Sequence, residues 1–113
     1  MEIIETLESK IAEVKVVGDL DANSSIDLDA YFKRQFEADV YSFYINCEDL
    51  RYISSAGLGV FISHLEYLDQ QKGKFVFYNM NNLVFDTFKI LGLHEVMNIA
   101  ENKESAKLLM NEG

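Results

Sequence analysis

The sequence predicts an α/β fold: a mixed central sheet of about five strands, its first hairpin antiparallel and the remainder mostly parallel, with about four flanking helices. Three observations predict it. Segments of strand-like and helix-like periodicity alternate along the chain. After the first hairpin, single helices separate the strands, the spacing that right-handed crossovers between parallel strands require. The run Phe75-Val76-Phe77-Tyr78 is continuously apolar, as expected of a strand buried on both faces. At 113 residues the chain is expected to form one domain spanning residues 1–113.

The elements follow in order. A turn near Glu8-Ser9 joins strands at 3–7 and 10–17, and Gly18-Asp19-Leu20-Asp21 breaks the second. A helix from Ser24 or Ser25 to Ala38 carries Leu28, Tyr31, Phe32 and Phe36 as an apolar stripe. The strand at 41–47 alternates, with Phe43, Ile45 and Cys47 on one side, which makes Cys47 a small core residue. A middle helix from Ser55 to Lys72 buries Leu58, Phe61, Ile62, Leu65 and Leu68. Gly73 is expected to end it in the left-handed conformation. Asn81 or Asn82 caps a third helix bearing Val84, Phe85, Phe88 and Leu91, and Gly92 ends it. A last strand at 96–99 precedes a helix capped by Asn102, with Ala106, Leu109 and Met110 on its apolar side.

Composition narrows the function. With 19 acidic against 10 basic residues, the net charge of −9 repels nucleic-acid phosphates and anionic membrane surfaces. A basic or mixed-charge protein partner fits this balance. No apolar run approaches the roughly 20 residues that cross a bilayer, and Met1-Glu2-Ile3-Ile4-Glu5 is no secretory signal, so a cytoplasmic protein without membrane insertion is expected. A single cysteine excludes an internal disulfide and a cysteine zinc cluster. No metal or cofactor is expected.

The candidate site is Asp49-Leu50-Arg51-Tyr52-Ile53-Ser54-Ser55-Ala56-Gly57-Leu58-Gly59, which follows a strand-like run and opens the middle helix. Helix N-termini carry unpaired N–H groups and partial positive charge, so they hold anions. A serine there is a cap, a nucleophile or a phosphate acceptor. The nucleophile fails. His64 lies about 13 Å along the helix from Ser55 at 1.5 Å per residue. Ile53 also stands where a nucleophile elbow needs glycine. No catalytic residue is therefore expected. Gly57-Leu58-Gly59 lacks the third glycine of a dinucleotide loop and the lysine of a P-loop. Each glycine costs about 1 kcal/mol of helix propensity against alanine, which suggests that the surface above Ser55 must stay flat. The cap and the phosphate acceptor both remain.

The run from Tyr52 to Val60 resembles the signature of STAS-domain proteins, the anti-sigma factor antagonists: an apolar residue, Asp, Ser, Ser or Thr, then Gly-Leu-Gly. Gly18-Asp19-Leu20-Asp21 is similar to the family's G-x-L-D turn. Gly73-Lys74-Phe75-Val76-Phe77, Ile90-Leu91-Gly92-Leu93 and Ala106 fall where the family places its next strand, third helix end and last helix. The resemblance implies a partner-switching protein. Unphosphorylated antagonist binds an anti-sigma factor that is also a serine kinase of the histidine-kinase-like ATPase type. Phosphorylation breaks the complex, and a PP2C-type phosphatase restores it. By position, Ser55 matches the phosphoacceptor and Asp21 the aspartate near it. Where the family has aspartate, this chain has Ser54, a second hydroxyl and the alternative acceptor. Asp21, Ser54, Ser55, Ala56, Gly57, Leu58 and Gly59 would form the docking surface, with Ala56 and Leu58 supplying apolar contact. Asp19, Asp21, Glu48 and Asp49 would surround the phosphate if the turns converge. A phosphorylation-independent STAS scaffold, or a module binding a lipid, nucleotide or partner protein, is the alternative.

Overall fold

The computed structural model describes residues 1–111. Strands β1 (Glu2–Glu8) and β2 (Ile11–Leu20) form the antiparallel hairpin. Then come α1 (Ala22–Glu37), β3 (Ser42–Asn46), β4 (Leu50–Ile53), α2 (Ser55–Gln70), β5 (Lys74–Tyr78) and α3 (Asn82–Ile90). A 3-10 turn at Leu93–Glu95, β6 (Asn98–Ile99) and α4 (Lys103–Asn111) complete the described chain. The sheet order is β1-β2-β3-β5-β6, with β4 on β2, and every pairing after the hairpin is parallel.

The mixed α/β sheet with four helices is as expected, and β4 adds a sixth strand. Gly18-Asp19-Leu20 does not end β2. Gly18 adopts φ +96°, the register shifts there, and β2 continues to pair with β4 through Leu20↔Ile53. One long strand thus serves two parallel neighbours, β3 along its first half and β4 along its last three residues. α1 begins at Ala22, earlier than expected, because Asp21 is its cap.

Alternation divides the sheet into two faces. Ala12, Val14 and Val16, Phe43 and Ile45, and Phe75 and Phe77 lie on the face that α1, α2 and α3 cover. There Phe32, Phe61 and Phe88 meet Phe43, Phe75 and Phe77 in tilted and edge-to-face contacts of 4.9–5.7 Å. Cys47 is buried as expected, and burial pushes its thiol up to about 12. Gly73 lacks the left-handed conformation expected of it; Lys72 takes that role at φ 61°. A Cβ on Gly73 would sit 1.9 Å from the Tyr41 carbonyl oxygen, so close backbone approach requires glycine there. Ile62, expected inside, is exposed.

Among the described residues the opposite face is covered by α4, through Ala106 and Met110 against Val76 and Tyr78. Glu13 pins this helix: its carboxylate accepts hydrogen bonds from the Tyr78 hydroxyl and the Lys103 ammonium. Burial raises the Glu13 pKa, but those two bonds and the charges of Lys103 and Lys107 together hold it below the usual 4.5. A depressed folded-state pKa gives stability that is present above the unfolded value and lost as pH falls through the folded one. The urea midpoint is therefore expected to fall between about pH 5 and pH 3, and Glu13→Gln to flatten that decline.

Candidate functional site

Because the strands after the hairpin are parallel, β2, β4 and β5 end on one side of the sheet, and each leads directly into a helix. The caps of those helices are Asp21 on α1, Ser54 on α2 and Asn81 on α3. Ligands of open α/β sheets gather at this carboxyl side of the strands. Two bonds knit the caps together: the Ser54 N–H donates to the Leu20 carbonyl at 2.9 Å, and the Asn81 side-chain amide donates to the Leu50 carbonyl at 3.0 Å.

The two serines are not equivalent. Ser54 has extended backbone, is half-buried, and its Oγ accepts the Gly57 N–H at 3.1 Å. It satisfies one of the free donors of the first turn. Ser55 is the first residue of α2 and is exposed. Among the described residues, no hydrogen bond engages its hydroxyl. The first turn of α2 carries no acidic residue, so its partial positive charge is unopposed by the helix's own side chains.

Asp21 stands beside this turn, one residue past the Leu20 carbonyl that Ser54 bonds. Its Oδ1 accepts both the Ser24 N–H and the Ser24 hydroxyl, at 2.9 and 3.0 Å, while Ser24 Oγ accepts the Asp21 N–H. The Ser24 N–H first, then its hydroxyl, hold the Asp21 carboxyl below the ordinary aspartate range. Asp21 is thus ionised and fixed in place. Asp19 lies opposite Tyr52 and pairs with Arg51 at 3.4 Å.

Glu48 and Asp49 do not join this group. They sit just before β4, with Asp49 up to about 20 Å from Ser55 along the extended chain at about 3.3 Å per residue. There they pair with Lys15, at 2.8 Å for Asp49 and 3.9 Å for Glu48.

The surface beyond Ser55 is a shallow groove between α1 and α2, lined by Ser25, Ile26, Ala56, Gly59 and Ser63. Ala56 is exposed, as a contact residue must be. Leu58 is not: it is 2% exposed and belongs to the core. Its place three residues before Phe61 turns it inward, so it supports the turn from below and supplies no docking contact. Gly57 is also buried. A Cβ there would come 2.7 Å from Leu20 Cγ and 3.1 Å from Ile53 Cγ1. Gly59 has nothing within 4 Å of that position. Ile26, 69% exposed, belongs to this rim and was absent from the expected set. Its sequence signal is phase, since it falls outside the stripe of Leu28, Tyr31, Phe32 and Phe36.

The histidines are engaged elsewhere. His64, nearly buried, bonds Asp29 at 2.6 Å and thereby ties α2 to α1. His94 lies beside Glu95 and Phe85, beyond α3. Among the described residues no serine bonds either histidine. Among the described residues there is no cluster of three potential metal ligands, and no helix is long and apolar enough to cross a membrane.

Comparison with known proteins agrees with this architecture. The STAS domain family model matches residues 4–106, and the chain belongs to that family. A curated relative, the anti-sigma-B factor antagonist of Staphylococcus aureus, is 29% identical over 99 residues, covering 88% of this chain and 92% of the relative. An anti-sigma factor antagonist from Mycobacterium paratuberculosis superposes with a TM-score of 0.85 at 14% identity, over 98% of this chain and 94% of that one. The anti-sigma factor antagonist SpoIIAA in its unphosphorylated form gives 0.82 at 18% identity, over 99% of both chains. The Bacillus protein in its phosphorylated form gives 0.73 at 19%, over 96% and 99%. At these identities the solved structures establish the shared fold.

Proposed function

We propose that this chain is an antagonist of an anti-sigma factor, a binding module and kinase substrate rather than an enzyme, released from its partner when Ser55 is phosphorylated. The observation that carries the reading is the division of labour between the two serines. Ser54 is committed to capping α2, and Ser55 presents an exposed, unengaged hydroxyl one residue past the Ser54–Leu20 backbone bond, which also brings the loop bearing Asp21 to this turn. The kinase is an anti-sigma factor of the histidine-kinase-like ATPase type, a PP2C-type phosphatase reverses the modification, and the cycle runs in the cytoplasm.

The serine at position 54 is what favours a phosphorylation-independent module. The structure gives position 54 the job of an N-cap, and serine and aspartate perform that job about equally well. The substitution therefore leaves the turn intact. A phosphate on Ser55 adds about −1.5 to −2 charge units. α2 accommodates it locally, while the added charge, with that of Asp21, makes the surface hostile to a docked acidic or apolar surface.

Incubation with ATP and an anti-sigma factor serine kinase of the histidine-kinase-like ATPase type, followed by intact-mass analysis, tests the assignment. A gain of about 80 Da, one phosphoryl group, is expected in the wild type and in Ser54→Ala, and none in Ser55→Ala. Ser54→Ala is expected to lose about 1 kcal/mol of stability, the usual value of a cap. A gain that persists in Ser55→Ala and vanishes in Ser54→Ala overturns the assignment.

A further inference from the structure

The sheet face opposite the serine turn carries a second site. α4 packs mainly over β5 and β3 and meets the β1–β2 hairpin through Lys103 on Glu13 and the partly buried Ile11. The register places Thr6 across from Glu13, and Glu13 beside Tyr44, in one row facing α4. Between this row and α4 lies an open cleft of about 320 Å³, at the lower end of small-molecule sites. Ile11 and Tyr44, both half-buried, are among its lining residues.

Lys103, Lys107 and Asn111 stand four residues apart on α4, a single stripe that lines the cleft. Lys103 is committed, bonded to Glu13 and 3.9 Å above the Tyr44 ring. The two Glu13 oxygens accept from Tyr78 and Lys103, so that carboxylate is satisfied too. Lys107 is exposed and forms no ion pair among the described residues. What remains available inside is an ammonium, the hydroxyls of Thr6 and Ser9, and the Asn111 amide. The cleft thus offers one unpaired ammonium and several groups able to donate hydrogen bonds above an aromatic and aliphatic floor, and among the described residues Glu8 at the hairpin tip is the one further carboxylate in its lining.

We infer that this cleft binds a small organic anion with an aromatic or aliphatic body, its carboxylate or sulfonate on Lys107 and its body against Tyr44 and Ile11. Such a site lies on the other side of the sheet from Ser55, so it is separable from the partner switch and does not rest on it.

The probe is 1-anilinonaphthalene-8-sulfonate, followed by amide chemical shifts of the whole chain, with N-phenyl-1-naphthylamine as the analogue without the sulfonate. Saturable binding is expected, with shifts concentrated at Thr6, Ile11, Tyr44 and Lys103. Lys107→Gln, at an exposed position, is expected to weaken the sulfonate about tenfold, the loss of one charge-assisted hydrogen bond, and to leave the uncharged analogue unchanged. Thr6→Trp fills the cleft and is expected to abolish binding of both; if that variant fails to fold, Lys107→Gln decides. Absence of saturable binding overturns the inference. So do shifts confined to the exposed apolar residues Ile90, Leu91 and Val96, or an affinity that Lys107→Gln leaves unchanged.

Discussion

Ser55→Glu is expected to make the chain more stable and its partner complex much weaker. Position 55 is the first residue of α2, whose first turn has no acidic side chain. A carboxylate there meets the positive end of the helix and contributes about 0.3–1 kcal/mol. The same carboxylate is exposed, next in sequence to Ala56 on the α1–α2 groove. A docked surface must then desolvate a charge that has no partner, which costs several kcal/mol when contact is close. A loss of at least 100-fold in affinity, roughly 3 kcal/mol, is expected by calorimetry against the anti-sigma factor. Urea denaturation of the variant alone should show no loss of stability. Because a structural defect lowers both quantities, opposite signs separate a switch residue from a folding residue.

The two glycines of the turn are expected to differ in the same diagnostic way. Gly57→Ala drives a Cβ to 2.7 Å from Leu20 Cγ and 2.9 Å from Leu20 Cδ2. Leu20 is fully buried and cannot move aside freely. A cost of about 2 kcal/mol follows from such overpacking. Gly59→Ala meets nothing within 4 Å. It replaces the second-worst helix former with the best, so a gain of about 0.5–1 kcal/mol is expected. Gly59→Leu keeps that stability but raises the floor of the α1–α2 groove, and binding of the anti-sigma factor is expected to fall at least tenfold. Urea midpoints and binding isotherms for the three variants check the pattern. Equal destabilisation by Gly57→Ala and Gly59→Ala would mean that both glycines serve packing alone.

The residues that sequence reasoning placed well are those with a strong local signal. The hairpin, α2, β5 and α3 follow from apolar period, and α4 from a cap that no adjacent residue competes for, Asn102; at α3 two adjacent asparagines compete, and Asn81 takes the cap. β4 was not legible. It has four residues, its two central ones, Arg51 and Tyr52, are both exposed, and so neither alternation nor a continuous apolar run marks it. Only pairing with β2 past the bulge at Gly18 creates it. The start of α1 was obscured because Asp21, Asn23, Ser24 and Ser25 are all capping residues, and the capping box uses serine rather than glutamate at its third position.

At the site, spacing already gave Leu58 to the core face, and burial prevails over the contact role that its motif suggested. Glu48 and Asp49 were expected near the phosphate if the turns converge; β4 separates them from Ser55, and they pair with Lys15 instead. Which serine caps and which is free depends on the backbone at residue 54, where φ −85° and ψ 169° mark the last extended residue. No pattern of residue types encodes that angle, since either serine is an adequate cap.

The central claim is that a dianion on residue 55 ejects a docked protein. Moving a complex from mostly bound to mostly free takes about 5 kcal/mol of differential affinity. The direct measurement is the affinity of one preparation of this chain for the anti-sigma factor, before phosphorylation, after stoichiometric phosphorylation of Ser55, and after phosphatase treatment. Tight binding, its loss and its full recovery are the predicted sequence. A phosphorylated chain that binds as tightly as the unmodified one would contradict it.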